Sequence, residues 1–334
     1  MNSSTLLSST SLVLRTLIAA SSRNWLRVWV SIELNLIRFI PILITSKSYL
    51  EAEGSTKYFL SQALGSSLLL FSAYAIYSFR SIILIYVLII AVLIKLGRFP
   101  CHFWFPSVII STRWVACLIL STWQKIAPLT ILTFFLITKF SRLFIILGII
   151  NALTGGIIGL NQSQLRGIIA YSSINHMGWI LRLLIIDNKS ISILYFFIYS
   201  SLAIPIFLLF NSISSSSTKN INKIISSSPK TKLIIIILLL ALGGLPPING
   251  FIAKILVLFF LINNWLLPCL VIIIGSLFTL YFYLNICISL ILDNKTIVVP
   301  LPHIPVSSLL LSLSGLFLLP VLLFTYAMTL LYKS

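Results

Sequence analysis

The chain has 334 residues, of which 59% are hydrophobic and only 8% are charged, and its mean hydropathy is +1.12. A soluble globular domain carries about 25% charged residues, so the composition excludes a soluble enzyme and predicts an all-α, polytopic membrane protein. The formal net charge is +18, but the basic residues are scattered singly rather than clustered on a polar face. We therefore expect no nucleic-acid partner.

Cofactor motifs are missing from the sequence. The four cysteines form no CxxC pair and lie in apolar sequence, which disfavours an iron–sulfur cluster, a zinc site or a disulfide framework. Neither a GxGxxG turn after a strand nor a GxxxxGK[ST] loop is present. We expect no metal site, no bound cofactor and no redox centre in this chain.

Apolar runs between polar breaks predict about eleven transmembrane helices, because one span takes about 20 residues. They cover residues 4–21, 25–44, 57–79, 81–111, 115–137, 143–160, 165–186, 190–211, 231–263, 268–291 and 306–330. We interpret the first run as a retained helix rather than a signal peptide, because Arg15 lies within it and no small-residue cleavage site follows.

The fourth and ninth runs are too long for one plain span, and each contains helix-breaking residues in its middle. These are Gly97, Pro100 and Pro106 in the fourth run, and Gly243, Gly244, Pro246 and Pro247 in the ninth. A membrane tolerates broken helices only where the freed backbone groups line protein or a wet cavity. Both runs are therefore predicted to be discontinuous helices near a working site.

The two interruptions occupy matching places in two successive sets of five helices. This spacing predicts a five-helix repeat at 1–137, a second copy at 138–291, and a C-terminal loop and last helix at 292–334. Because each set has an odd number of helices, the copies should be inverted, as in many ion transporters.

Loop charges predict the orientation of the chain. The connections after helices two, six, eight and ten are lysine- and arginine-rich, whereas the opposite side carries fewer basic residues. The basic side carries Lys47, Lys57, Arg166, Lys219, Lys223, Lys230, Lys232 and Lys295, and the other side carries Lys139, Lys189 and Lys333. The N-terminus is predicted to share the basic side. The connection at 211–232 reads as a solvated loop.

Four ionisable residues are predicted to lie within spans: Glu33, Lys95, Lys125 and Lys254. Each costs about 2.5 to 3.5 kcal/mol on insertion scales and so needs a partner, a wet cavity or a function. Satisfied structural roles stay open, such as a carboxyl bound by nearby hydroxyls or a lysine reaching the interface. A side chain that reaches the interface fits Lys125 least, because this residue lies about 15 Å into its helix at about 1.5 Å per residue.

These residue types suit proton transfer. Burial disfavours a charged lysine, whereas a carboxylate within about 4 to 6 Å favours it, so a Glu33–Lys95 pair that opens and closes would act as a proton switch. Lys125 or Lys254 could take the charge onward through water and hydroxyls. Candidate relay groups are Tyr171, Ser172, Ser173, Asn175 and His176, where a structural role for the histidine is equally open; His102 and His303 are weaker candidates.

Eight ordered blocks between residues 24 and 290 resemble one family. They are SIELN (31–35), STKYFLSQ (55–62), IKLG (94–97), HFWFP (102–106), TWQKIAP (122–128), GLNQSQLR (159–166), AYSSINHMGW (170–179) and LGGLPPINGF (242–251). The pattern resembles the NADH–ubiquinone oxidoreductase chain 2 family, the mitochondrially encoded antiporter-like subunits of respiratory complex I.

The resemblance implies a proton-translocating subunit of the mitochondrial inner membrane, with the N-terminus on the matrix side and the C-terminus on the intermembrane-space side. Glu33 and Lys95 match the family's first-half pair, Lys125 its bridging lysine and Lys254 the lysine of the second broken helix. NADH, FMN, iron–sulfur clusters and ubiquinone would belong to other subunits. The expected partners are other membrane-arm subunits, phospholipid, protons and internal water. A stand-alone cation/proton antiporter and a structural spacer remain alternatives.

Arginines within the apolar spans conflict with the scarcity of acids, since the chain has 23 basic and five acidic residues. Several align with positions where relatives carry serine. We hypothesise that AGA and AGG codons, which some mitochondrial codes read as serine, were rendered as arginine. The positions concerned are Arg15, Arg38, Arg98, Arg113 and Arg182.

Overall fold

A computed structural model describes residues 3–22, 24–45, 48–79, 81–135, 141–184, 189–213, 229–246, 248–261 and 266–292. Within these ranges the regular structure is helical and no strand is present. Five helices are long and apolar enough to cross a membrane, among the residues described. The predicted all-helical membrane fold is confirmed at this level.

The chain divides into two compact units, Met1–Leu143 and Phe144–Ser334. The first unit contains α1 (Ser3–Ser21), α2 (Trp25–Leu43), α3 (Tyr49–Phe79), α4 (Ile82–Leu96), α5 (Trp104–Ser111), α6 (Trp114–Ser121), a 3₁₀ turn (Trp123–Lys125) and α7 (Ile126–Phe135). Helix α1 packs against α2 and α7, and α3 packs against α2, α4 and α5. Helix α4 also contacts α7 and the 3₁₀ turn.

The second unit is built from six helices within its described residues. These are α8 (Ser141–Leu160), which begins just before the division, α9 (Leu165–Leu183), α10 (Lys189–Ile213), α11 (Pro229–Gly243), α12 (Asn249–Leu261) and α13 (Leu266–Leu292). Helix α10 packs against α9, α11 and α12, and α13 packs against α9 and α11. Helix α9 is buried along nearly its whole length.

Both long runs consist of two helices with a glycine in the left-handed region between them. Gly97 ends α4 with φ 63°, and Gly244 follows α11 with φ 82°. Residues with a side chain rarely adopt this backbone conformation, because their Cβ then crowds the backbone, whereas glycine adopts it freely. At Gly97 a Cβ would also lie 2.6 Å from Cβ of Phe105. A glycine at this position therefore allows α4 to end directly against α5.

Two predictions about helix boundaries were wrong. Pro106 does not break a helix: it lies in the first turn of α5, where the missing N–H has no intrahelical partner to lose. The fifth span, predicted at 115–137, corresponds to Trp114–Thr133, and within it the 3₁₀ turn separates α6 from α7. Helix α3 begins at Tyr49 rather than near residue 57, after Ser48, whose Oγ accepts the Glu51 N–H at 3.3 Å.

Several predictions concern residues outside the described ranges. They are the last span at 306–330 with the C-terminal segment from 293 onward, most of the 211–232 loop, and Lys47, Lys139, Lys219, Lys223, Pro247, Lys295, His303 and Lys333.

Candidate functional site

The first unit contains two buried lysines that line one small cavity. Lys95 lies in the last turn of α4 and is 5% exposed, and Lys125 ends the 3₁₀ turn and is 2% exposed. The rest of the lining mixes polar and aromatic side chains: Tyr58, Gln62, Leu96, Trp104, Phe105, Leu120 and Gln124. The cavity thus places two ammonium groups and several polar atoms inside an apolar unit.

Lys95 is held at the crossing of α3 and α4. Its Nζ donates to the main-chain carbonyl of Gln62 at 3.3 Å, and Nε2 of Gln62 donates to the carbonyl of Lys95 at 3.1 Å. Gly65 of α3 allows this approach, because a Cβ there would lie 3.0 Å from Cγ of Lys95. The lysine is therefore fixed by main-chain groups on a neighbouring helix.

Glu33 acts on Lys95 through charge rather than through direct contact. The carboxylate lies in α2, is partly buried, and has an electrostatic interaction with Lys95. No hydrogen bond or ion pair within 4.0 Å joins the two side chains, the ion pairs within the described residues being Lys57–Glu53 and Arg113–Glu51. The two side chains thus lie apart in this structure, and the Glu33–Lys95 switch stays a prediction.

Lys125 lies beside the ring of Phe105, with Nζ 5.1 Å from the ring centre. The Arg98 guanidinium lies 5.3 Å from the centre of the same ring. An aromatic face attracts a cation through its quadrupole, more strongly where water is excluded. Phe105 lies in the first turn of α5, next to the broken segment, so the break of the fourth span also provides the ring that contacts Lys125.

Trp104 and Tyr58 form the aromatic wall of the cavity. Trp104 Nε1 donates to the carbonyl of Ile94 at 3.0 Å, which satisfies a carbonyl in the last turn of α4. The rings of Tyr58 and Trp104 meet edge to face at 5.9 Å, and Phe39 meets Tyr58 in the same way at 5.2 Å. These contacts fix the wall between α2, α3 and α5.

The second unit contains Lys254, which is 7% exposed on α12. Its Nζ donates to the carbonyl of Gly243 at 2.7 Å. A Cβ on Gly244 would lie 2.8 Å from the same Nζ, so the left-handed glycine leaves room for the amine. Lys254 thus binds one of the terminal carbonyls that the interrupted helix α11 leaves without a helical partner.

Three of the relay candidates have side-chain hydrogen-bonding contacts among the described residues of the second unit. Ser172 Oγ accepts a hydrogen bond from Tyr283 Oη at 2.6 Å, and His176 Nδ1 lies 3.1 Å from Tyr195 Oη. Tyr171 is buried. Asn175 Nδ2 lies 3.2 Å from Thr279 Oγ1, and Ser173 donates to a carbonyl of its own helix. In the first unit, the ring of His102 stacks on Phe103.

Sequence reasoning missed a second buried carboxylate. Glu51 lies near the start of α3, is 3% exposed, and accepts a hydrogen bond from Nε of Arg113 at 3.0 Å. The available signal was the S-x-x-E pattern from Ser48 to Glu51, which is typical of a helix start. Glu33 is therefore not the sole acid with an interior position.

Comparisons with known proteins agree with this geometry. Residues 22–279 match the family described as NADH:quinone oxidoreductase/Mrp antiporter, TM. NADH-ubiquinone oxidoreductase chain 2 of Lumbricus terrestris is 45% identical over 85% of each chain, and that of Anopheles gambiae is 40% identical over 85% of this chain and 84% of the relative.

The fold has solved counterparts as well. A chain of respiratory complex I from Thermus thermophilus, solved with bound aureothin, superposes with a TM-score of 0.81 at 22% identity, over 96% of this chain and 80% of that chain. This likeness supports the antiporter-like helical fold. Together with the 45% identity to the Lumbricus terrestris protein, it confirms the resemblance, and the chain belongs to the NADH-ubiquinone oxidoreductase chain 2 family.

Proposed function

We propose that the chain is a core membrane-arm subunit of respiratory complex I that carries protons across the mitochondrial inner membrane. Electron transfer from NADH to ubiquinone would drive this transport and would take place in other subunits, which would hold NADH, FMN, the iron–sulfur clusters and ubiquinone. The chain would therefore be part of an enzyme and carry no electrons itself.

One observation supports the proposal most directly: Lys95 and Lys125 line the same buried cavity. A buried ammonium is costly in an apolar interior, so side chains of this kind mark ion and proton pathways in membrane proteins. Two lysines on one cavity, with Glu33 acting on the first, supply a proton donor, a proton acceptor and a charge that biases the transfer.

The transfer we propose has three steps. Approach of the Glu33 carboxylate favours the charged form of Lys95, because an opposite charge nearby stabilises the ammonium. Separation of the two removes that stabilisation, and the proton leaves Lys95 through water in the cavity. Lys125 receives it at the lining of the same cavity, where the Phe105 ring stabilises the arriving charge.

Lys254 would serve the second unit in a similar way. Its Nζ is held by a carbonyl at the end of a broken helix, and Ser172, His176 and Tyr171 lie in the same unit as candidate relay groups. We infer that residues 1–137 and 138–291 form inverted five-helix repeats within a fold of about eleven spans. The N-terminus would face the matrix, and other membrane-arm subunits and phospholipid would surround the chain.

A stand-alone cation/proton antiporter is the second candidate. The matching family description covers Mrp antiporters as well as NADH:quinone oxidoreductases. Separation of native membrane particles by size distinguishes the two candidates, with each fraction assayed for NADH-dependent dye reduction. Peptides of this chain should follow the dye-reducing activity into a very large particle; a small particle without that activity would favour the antiporter.

The proton-carrying role is tested by Lys95→Met in sealed vesicles of the assembled complex. Methionine has similar length and lacks the charge, so the fold should be retained while protons moved per NADH oxidised fall by about 10²-fold. The matched control is Lys57→Met, which removes an exposed lysine of α3. Unchanged pumping with Lys95→Met would instead favour a structural spacer.

A further inference from the structure

A side-chain hydrogen bond joins the helix that carries Glu33 to the turn that carries Lys125. Nδ2 of Asn35 donates to Oε1 of Gln124 at 2.7 Å. Asn35 lies two residues after Glu33 on α2 and is 5% exposed, and Gln124 immediately precedes Lys125. A displacement of α2 is therefore transmitted directly to the residue next to Lys125.

In each of these two side chains, the amide atom that does not take part in this bond has no partner among the described residues. Asn35 Oδ1 and Gln124 Nε2 are buried and accept or donate no hydrogen bond within the part of the chain that the structure describes. Gln124 also lines the cavity that contains Lys95 and Lys125. A buried, unpaired amide costs about 1 to 3 kcal/mol, so a purely structural contact would be expected to satisfy these atoms.

The backbone at this point is suited to small movements. The 3₁₀ turn replaces α-helical bonding between α6 and α7, and the hydrogen bond from Lys125 N–H to the carbonyl of Thr122 is long at 3.3 Å. Short 3₁₀ stretches within helices often mark hinges. The position of Lys125 then depends strongly on side chains that hold the turn.

Two side-chain bonds hold the turn, and they differ in direction. Trp123 Nε1 donates to Thr16 Oγ1 of α1 at 2.9 Å, away from the acid-bearing helix. Gln124 binds Asn35 of α2, beside Glu33. The first bond ties the turn to α1, and the second ties it to the helix of Glu33.

We propose that Asn35 and Gln124 form a positioning pair that keeps Lys125 in register with Glu33 and presents the Gln124 amide to the cavity between the two lysines. The pair carries no proton itself. Its loss leaves both lysines present but misplaces Lys125, and a misplacement of about 1 Å can slow a transfer by as much as about 10²-fold. This inference rests on the proposed function.

The test compares variants in sealed vesicles of the assembled complex, where protons moved per NADH oxidised are measured beside NADH-dependent dye reduction. Gln124→Leu removes the bond, and we expect the proton ratio to fall by about tenfold or more while dye reduction is unchanged. The exchange of both residues, Asn35→Gln with Gln124→Asn, keeps the donor, the acceptor and the combined length. We expect the exchange to restore most of the ratio that either single change removes.

Thr16→Val is the matched control, because it breaks the other bond to the same turn and Thr16 does not line the cavity. We expect it to lower the thermal midpoint of the complex and to leave the proton ratio unchanged. If the complex that carries Gln124→Leu does not assemble, the proton ratio is measured for Gln124→Asn alone and for Gln124→Asn with Asn35→Gln. A loss in the first and a recovery in the second would support the positioning pair in the same way.

A parallel Lys125→Met variant separates the two possible failures. If Lys125→Met abolishes pumping while Gln124→Leu and Gln124→Asn have no effect, the positioning pair is refuted and the proposed function stands. If the paired exchange fails to rescue, or Thr16→Val lowers the ratio equally, the positioning pair is also refuted. If Lys125→Met pumps normally, the proposed function itself is wrong, and the inference falls with it.

Discussion

Gln62 and Lys95 bind each other's main chain, although 33 residues separate them. The amide of Gln62 donates to the carbonyl of Lys95, and the Nζ of Lys95 donates to the carbonyl of Gln62, at 3.1 and 3.3 Å. One side-chain amide and one ammonium thereby join α3 to the end of α4. The break of the fourth span is held in place by the residue proposed to carry the proton.

Replacing Gln62 with leucine should destabilise the chain. The carbonyl of Lys95 would lose its donor in a buried place, at a cost of about 1 to 3 kcal/mol, while the bond from Lys95 Nζ would persist because its acceptor is main chain. Thermal unfolding of the solubilised complex measures the effect. The control is Ser67→Ala, which removes an exposed hydroxyl from the same helix; an equal midpoint for both variants would contradict the argument.

The adjacent glycines 243 and 244 should differ sharply in their tolerance of alanine. Gly244 has φ 82°, and an added Cβ would lie 2.8 Å from Nζ of Lys254, so we expect strain of about 1 to 2 kcal/mol and a displaced amine. Proton pumping by Gly244→Ala should fall well below that of the unchanged chain. A Cβ on Gly243 meets its nearest atoms at 3.6 Å, so Gly243→Ala should pump normally.

Tyr283→Phe tests the hydroxyl contact in the second unit. The change removes the hydrogen bond to Ser172 and should lower stability by about 0.5 to 1.5 kcal/mol; if Ser172 is part of a relay, pumping should fall as well. Tyr281→Phe on the same helix is the control, because Tyr281 is 57% exposed. Pumping equal to the control would exclude the Tyr283–Ser172 contact from the proton route.

The residue at position 182 of the native protein should be serine. Arg182 is 1% exposed, and its Nε and Nη2 have no hydrogen-bond partner among the described residues. A charge placed in this way inside a membrane protein costs about 2.5 to 3.5 kcal/mol or more, and Gly148 lies tightly against the side chain. Peptide masses from native membranes decide the question: an arginine mass at position 182 would refute the codon hypothesis.

The sequence predicted the features that depend on local chemistry. Gly97 and Gly244 mark the two interruptions because few other residues adopt their backbone conformation. The lysines were found because an ammonium in an apolar run is costly. Pro106 misled the prediction, since a proline breaks a helix in its interior but fits its first turn.

The 3₁₀ turn at Lys125 had a signal that was not used. Pro128 has no N–H to give to the carbonyl of residue 124, so α-helical bonding is interrupted at this point. The contacts that define the cavity had no such signal. Asn35 and Gln124 are 89 residues apart, and a single sequence does not indicate which distant polar side chains will meet.

Lys95 and Lys254 share a kind of acceptor whose chemistry has a consequence for the transport cycle. Each Nζ donates to a main-chain carbonyl, that of Gln62 in one unit and that of Gly243 in the other. A neutral amine donates to a carbonyl as an ammonium does, so neither nitrogen needs to leave its place when its proton departs. In the proposed cycle, the reorganisation at each turnover would then fall on the Glu33 carboxylate and on water, while both lysine nitrogens would keep their positions and their carbonyl partners.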